Sequence, residues 1–229
     1  IASTYSLSRY LNVIERITEL GHQKSEAIKW AQHLKWTSDE LTRMARSYAN
    51  TYAPMYREYF ERILLIRGGL APRPQDYYGA FWDQVLVGER DYRTGVDVRS
   101  LNSIFIDIGM TSVERGILRD AEIYSNQLAK LETQAFILLE KSSKEANKNQ
   151  KLTEQNKNEA INLLHGRQYH RAKAQIMSLI DDAELAMIER FDRELLAFKQ
   201  NKHELKTITI LLAVATLFIV VLLILFDMI

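Results

Sequence analysis

The chain has 229 residues, with 30 Lys and Arg against 29 Asp and Glu, nine Gly, three Pro and no Cys. At 47% hydrophobic and 26% charged, it has the composition of a folding protein and not of a disordered or collagen-like one. A net charge of +1, with basic and acidic residues interleaved, leaves no field to hold nucleic acid, and the lack of Cys excludes disulfides, thiolate metal sites and thiol nucleophiles.

All three prolines (Pro54, Pro72, Pro74) and seven of the nine glycines fall between residues 54 and 116, so the flanks read as helix and the middle as an irregular cap over about 50–110. In the first flank Leu7, Leu11, Ile14, Ile17, Ala31, Leu34, Leu41, Met44 and Tyr48 recur at threes and fours, the spacing of one helix face. Pro54 suits the first turn of a short helix that Gly68-Gly69 stops. Pro72 and Pro74 enforce an extended link. A further short helix is predicted over 75–86, a polar loop between Gly88 and Gly95, and another turn or two over 101–108.

Thr111 with Glu114 three residues on forms a capping box, which opens a long helix striped by Leu118, Ala121, Leu128, Leu131, Ala135 and Leu138. The polar stretch 142–158 reads as the solvated turn of a hairpin. A third periodic run carries Ile176, Ile180, Ala183, Met187, Phe191, Leu195, Phe198 and Leu205, with no Pro or Gly after Gly166. It leads without a break into Ile208–Phe226, where only Thr209 and Thr216 are polar. At about 1.5 Å per residue that run is roughly 28 Å long, a membrane span. The predicted fold is all-α: an antiparallel bundle of long helices over 1–206 and a transmembrane helix over 207–229. Stripes on helices this long need partners, within one chain or across a homodimer.

The span ends three residues before the last, and the chain opens on Ile1, so a preceding span and a following output domain are expected. Lys199, Lys202 and Lys206 flank the span on its N-terminal side, a cue for a cytoplasmic 1–206; that bias is weak for a domain of this size, and orientation stays open on charge alone.

Seven of the eleven tyrosines lie between residues 48 and 92, among Trp82 and the arginines Arg43, Arg46, Arg57, Arg62, Arg67 and Arg73. Tyr48, Tyr52, Tyr56 and Tyr59 share a face if the helix bends little at Pro54. The cluster reads either as an aromatic pocket with guanidinium forks for a small, anionic ligand or as an amphipathic core with its hydroxyls tied to backbone. No two histidines have the helical spacing that places both on one metal, and no phosphate loop, nucleophile elbow or carboxylate pair argues for catalysis. Neither an enzyme, nor a metal, nor a cofactor is expected.

The string Glu40-Leu41-Thr42-Arg43-Met44-Ala45-Arg46, followed by Tyr56, Tyr59-Phe60, Ile63, Ile66-Arg67, Pro72-Arg73-Pro74, Tyr77 and Trp82-Asp83, resembles an all-helical sensor module found ahead of bacterial chemoreceptor, sensor histidine kinase and nucleotide cyclase output domains. Ser125-Asn126, Leu128, Leu131-Glu132, Leu164-His165-Gly166, Tyr169-His170, Lys173, Ile176-Met177 and Ile180-Asp181 resemble its later motifs. The resemblance covers roughly residues 36–190. Where such modules often carry Gly-Asp before the proline of the second short helix, this chain has Tyr52-Ala53, and it has Gly68 in place of an acidic residue.

The resemblance implies the extracytoplasmic, periplasmic sensing region of a receptor in the inner membrane. Candidate ligand-binding residues are Arg43, Arg46, Tyr52, Tyr56, Arg67, Tyr77 and Trp82. Replacing Arg46 or Arg67 by Ala is expected to silence signalling with helicity and melting largely intact. The alternative is a tail-anchored, cytoplasm-facing scaffold that binds protein partners.

Overall fold

The computed structural model describes residues 2–145 and 150–227. Helix accounts for 85% of them and none is in a strand, so the protein is all-α. In chain order the helices are α1 (Ala2–Thr51), α2 (Pro54–Arg67), α3 (Phe81–Leu86), α4 (Leu101–Asp107), α5 (Ser112–Glu145), α6 (Gln150–His165) and α7 (Arg167–Asp227).

The boundaries follow local chemistry. Pro54 occupies the first turn of α2, and Gly68-Gly69 ends it. At the head of α5 the Glu114 backbone N–H donates to Thr111 Oγ1 at 3.3 Å while the Thr111 N–H donates to the Glu114 carboxylate at 2.7 Å, the reciprocal capping box. Ser100 caps α4 by accepting from the Ser103 N–H.

Three expectations need correction. The helix predicted over 75–86 begins only at Phe81, because Asp76 (φ 49°) and Gly79 (φ 72°) turn the preceding residues out of helical geometry. The tyrosine face across Pro54 is interrupted: α1 stops at Thr51 and Tyr52 has φ 57°, so Tyr56 and Tyr59 restart on a new axis. The expected turn over 142–158 lies partly outside the described residues, at 146–149. Residues 150–158 are helical, part of α6, which buries Asn156, Ala160 and Leu164 at intervals of four and packs on α5.

The chain divides into two compact units, Ala27–Leu185 and Ile1–Glu26 with Ala186–Ile229. The sequence boundary at 206 falls inside α7. In the 27–185 unit the stripes of α1, α5 and α7 are buried as Ala31, Leu34, Leu41, Met44, Leu118, Ala121, Leu128, Ala135, Ile176, Ile180 and Ala183. Each fully buried Leu or Ile contributes about 1.5–3 kcal/mol over exposure. Aromatic residues of the cap add a second cluster, Tyr59, Tyr77, Phe81, Trp82 and Tyr92, whose neighbouring rings meet at centroid distances of 5.1 to 6.1 Å.

In the other unit Met187, Phe191 and Leu205 are buried, and Ser6 Oγ lies 2.7 Å from Thr209 Oγ1. Leu7 and Leu11 are exposed there. α7 remains helical through residues 198–206, and its C-terminal part carries an apolar window of mean hydropathy 3.2 with none of it buried. It is long and apolar enough to cross a membrane.

Candidate functional site

A cleft of about 380 Å³ opens in the 27–185 unit between α1 and the link that follows α2. α1 supplies Lys29, Trp30 and His33, which the helical repeat brings to one side; the link supplies Arg73, Pro74, Asp76, Tyr77 and Tyr78. The two prolines keep the link extended, and the Arg73 N–H donates to Asp97 O at 2.7 Å in an isolated antiparallel bridge. Gly95 permits that approach: a Cβ there would lie 2.3 Å from Arg73 O. The left-handed Asp76 then redirects the chain, so that Tyr77 is buried against Phe81 and Trp82 while Tyr78 stacks on His33, ring centroids 3.2 Å apart and planes within 8°. Trp30 stands edge-on to both His33 and Tyr78, and the Trp36 indole N–H donates to Gly79 O at 3.2 Å.

The polar groups of this cleft are incompletely satisfied. Arg73 donates from Nη1 to Asp97 at 2.9 Å and from Nη2 to Arg99 O at 3.0 Å, and its guanidinium lies over the Trp30 ring. Its Nε is buried with no partner. The same holds for His33 Nδ1, Tyr77 Oη and Tyr78 Oη; Tyr77 Oη faces Trp82 Nε1, and Tyr78 Oη faces the Arg73 guanidinium, in each case without the geometry of a hydrogen bond. Each buried polar group without a partner costs about 1–3 kcal/mol, and the four residues that carry these atoms all line this one cleft.

Burial, helped by the charges of Lys29 and Arg73, pulls His33 down to about 3, so its imidazole is neutral at physiological pH. Burial also pushes both tyrosine hydroxyls upward, keeping them protonated.

A second polar assembly lies inside the same unit. Arg67, almost wholly buried, donates to Ser125 Oγ at 2.9 Å and Asn126 Oδ1 at 2.5 Å, and Ser125 Oγ is 3.5 Å from Ser38 Oγ. Lys173 donates to Ser38 Oγ and to Asp39, each at 2.9 Å. Tyr169 donates to the buried Glu132, and its hydroxyl is 2.8 Å from Thr42 Oγ1. Desolvation raises Glu132 to about 7 and lowers Arg67 and Lys173.

The seven sequence candidates do not converge on one point. Tyr77 lines the cleft, and Trp82 stands behind it with ring centroids 6.1 Å apart. Arg43 bridges Glu40 at 2.6 Å and Asp83 at 2.7 Å, tying α1 to α3. Arg46 donates to Leu164 O at 3.1 Å, capping a carbonyl at the end of α6, with its charge over the Tyr169 ring. Arg67 belongs to the interior assembly. Tyr52 lines a smaller cavity of about 200 Å³ with Ser142, Thr153 and Lys157, and Tyr56 is half-buried on α2. Lys29, Trp30, His33 and Tyr78 are not among the candidates; the helical spacing of Trp30 and His33, with Arg73-Tyr77-Tyr78 downstream, is the signal that could have drawn attention to them.

Among the described residues no group of His, Asp and Glu gathers to hold a metal ion. Comparisons with family models, curated proteins and solved structures return no match.

Proposed function

We propose that this chain is the extracytoplasmic ligand-sensing region of a transmembrane signalling receptor. The observation that carries the reading is one cleft lined by four residues that each hold a buried polar atom without a partner, in a chain whose last helix is apolar enough to cross a membrane. A cleft of that size suits a small molecule, and a polar group left unpaired by the protein is a place where a ligand gains differential affinity. The helices act as a bundle that pairs in a homodimer, and α7 carries a small shift toward the bilayer. A tenfold change in the balance of two states needs about 1.4 kcal/mol of differential affinity, within the reach of one or two hydrogen bonds to a charged group.

The resemblance of residues 36–190 to bacterial sensor modules supports the periplasmic placement. The lysines before the span, Lys199, Lys202 and Lys206, favour the second reading, a cytoplasmic scaffold anchored by its tail. Reporters separate the two. Alkaline phosphatase inserted at the exposed Gly88-Glu89 turn of the 88–95 loop in the full chain is expected to be active and green fluorescent protein dark. The opposite pattern would reject the sensor reading.

A further inference from the structure

The cleft's own donors and acceptors specify the kind of molecule it takes. Arg73 Nε–H can only donate; the Tyr77 and Tyr78 hydroxyls, kept protonated, each bring a proton that no protein acceptor receives. The neutral His33 can donate or accept at Nδ1. The deficit is therefore of acceptors, and an oxygen-rich anion supplies them.

The charge present limits that anion. Lys29 and Arg73 are cations, but Arg73 already donates to Asp97 from Nη1 and to Arg99 O from Nη2, so much of its charge is answered within the protein and Nε is its one nitrogen without a partner. The one carboxylate lining the cleft, Asp76, lies 3.8 Å from Arg90. A phosphate monoester, with a charge of about −1.5 to −2 at neutral pH, would outweigh this arrangement. An amine would meet two cations and, among the unpartnered atoms, His33 Nδ1 as its one nitrogen acceptor. A monocarboxylate matches both the number of donors and the charge. The walls are flat, with Trp30 on one side and the stacked His33–Tyr78 pair beside it, which suits a planar apolar body.

We infer that the cleft between α1 and the 73–78 link binds a small organic monocarboxylate with a planar apolar body, its oxygens received by Arg73 Nε–H and the Tyr77 and Tyr78 hydroxyls. This assignment rests on the sensor reading and gives its ligand a chemical class.

The test is calorimetric titration of the full chain in lipid nanodiscs with benzoate and with its neutral isostere benzamide, repeated on Tyr78→Phe and Arg73→Lys, with acetate and indole-3-acetate as shorter and longer carboxylates. Benzoate is expected to bind at least about tenfold more tightly than benzamide, and Tyr78→Phe to weaken benzoate about tenfold while the circular dichroism melt stays unchanged. Arg73→Lys serves as a second variant: it keeps the charge, loses the Nε–H and is expected to reduce the preference for benzoate over benzamide.

Benzamide binding as well as benzoate would overturn the carboxylate class and leave the sensor reading standing. Undiminished benzoate binding by both variants would overturn the site. Absence of binding by all three carboxylates up to about 10 mM would overturn the class as well. The sensor reading itself falls only if the reporter in the 88–95 loop also lies on the cytoplasmic side.

Discussion

The Tyr169 hydroxyl donates to Glu132 Oε1 at 2.5 Å, joining α7 to α5 in the interior of the 27–185 unit. Burial raises Glu132 from an ordinary 4.5 to about 7, and the Tyr169 hydrogen bond and the charges of Lys173, Arg67 and Arg46 only partly oppose it. A carboxyl whose folded pKa lies above its unfolded one holds an extra proton in the folded state between those values. Stability therefore falls as pH rises from about 4.5 to 7 and stays reduced above. Glu132→Gln keeps an acceptor for Tyr169 and carries no charge. It is expected to be more stable than the parent at pH 8, by about 1–3 kcal/mol, and equal to it near pH 4.5. Thermal melts followed by circular dichroism across that range check it; identical pH profiles for the two proteins would contradict the assignment.

His33 pulls in the opposite direction. Its folded pKa of about 3 lies below the ordinary 6.5, chiefly through burial, with Lys29 and Arg73 adding repulsion. The unfolded chain then binds the proton more readily, so stability contributed by the neutral imidazole is full above pH 6.5 and is lost progressively as pH falls toward 3. His33→Phe retains a ring to stack on Tyr78 and cannot be protonated. In the Glu132→Gln background, where the opposing carboxyl is gone, His33→Phe is expected to flatten the loss of melting temperature between pH 6.5 and 4. An unchanged slope would place the acid sensitivity elsewhere.

The long helices are legible in the sequence because their information is local: apolar residues at threes and fours, the Thr111–Glu114 box, and Pro54 opposite Gly68-Gly69. The second half of the polar stretch reads as a turn because the buried stripe of α6, Asn156, Ala160 and Leu164, is thin and headed by an amide. The cleft depends on residues forty positions apart meeting through Asp76, a left-handed residue that composition does not mark, and through the Arg73–Asp97 bridge. Arg46 and Arg67 stand out in the sequence, yet their partners, a helix-end carbonyl and the Ser125-Asn126 pair, are set by tertiary packing alone.

Those partners change what an alanine substitution does. Arg67 has one guanidinium shared between Ser125 and Asn126 in a fully enclosed position, so Arg67→Ala leaves a cavity and two acceptors without their donor. A loss of about 2–4 kcal/mol is expected, in place of the intact melting that the sequence suggests. Arg46→Ala removes a cap from Leu164 O and a cation over Tyr169, a milder loss of about 1 kcal/mol. Urea unfolding of both variants, each measured beside the parent chain, orders the two; a more stable Arg67→Ala than Arg46→Ala would reverse this account.

Tyr52 is the residue after α1, held at φ 57° while its N–H donates to Tyr48 O at 2.8 Å. The left-handed conformation costs an L-residue about 1–2 kcal/mol, and glycine adopts it freely. The tyrosine ring offsets part of that cost through Tyr48, with centroids 6.4 Å apart, and through Lys157, 6.0 Å above it. Tyr52→Gly is expected to stabilise the chain by about 0.5–1 kcal/mol, a rise of a few degrees in melting temperature. Tyr52→Ala separates the two contributions, since it keeps the backbone strain and loses the ring, and should melt below the parent. The order glycine, tyrosine, alanine from most to least stable means that backbone strain at Tyr52 outweighs what its ring contacts contribute. A parent that outlasts both variants would show the reverse.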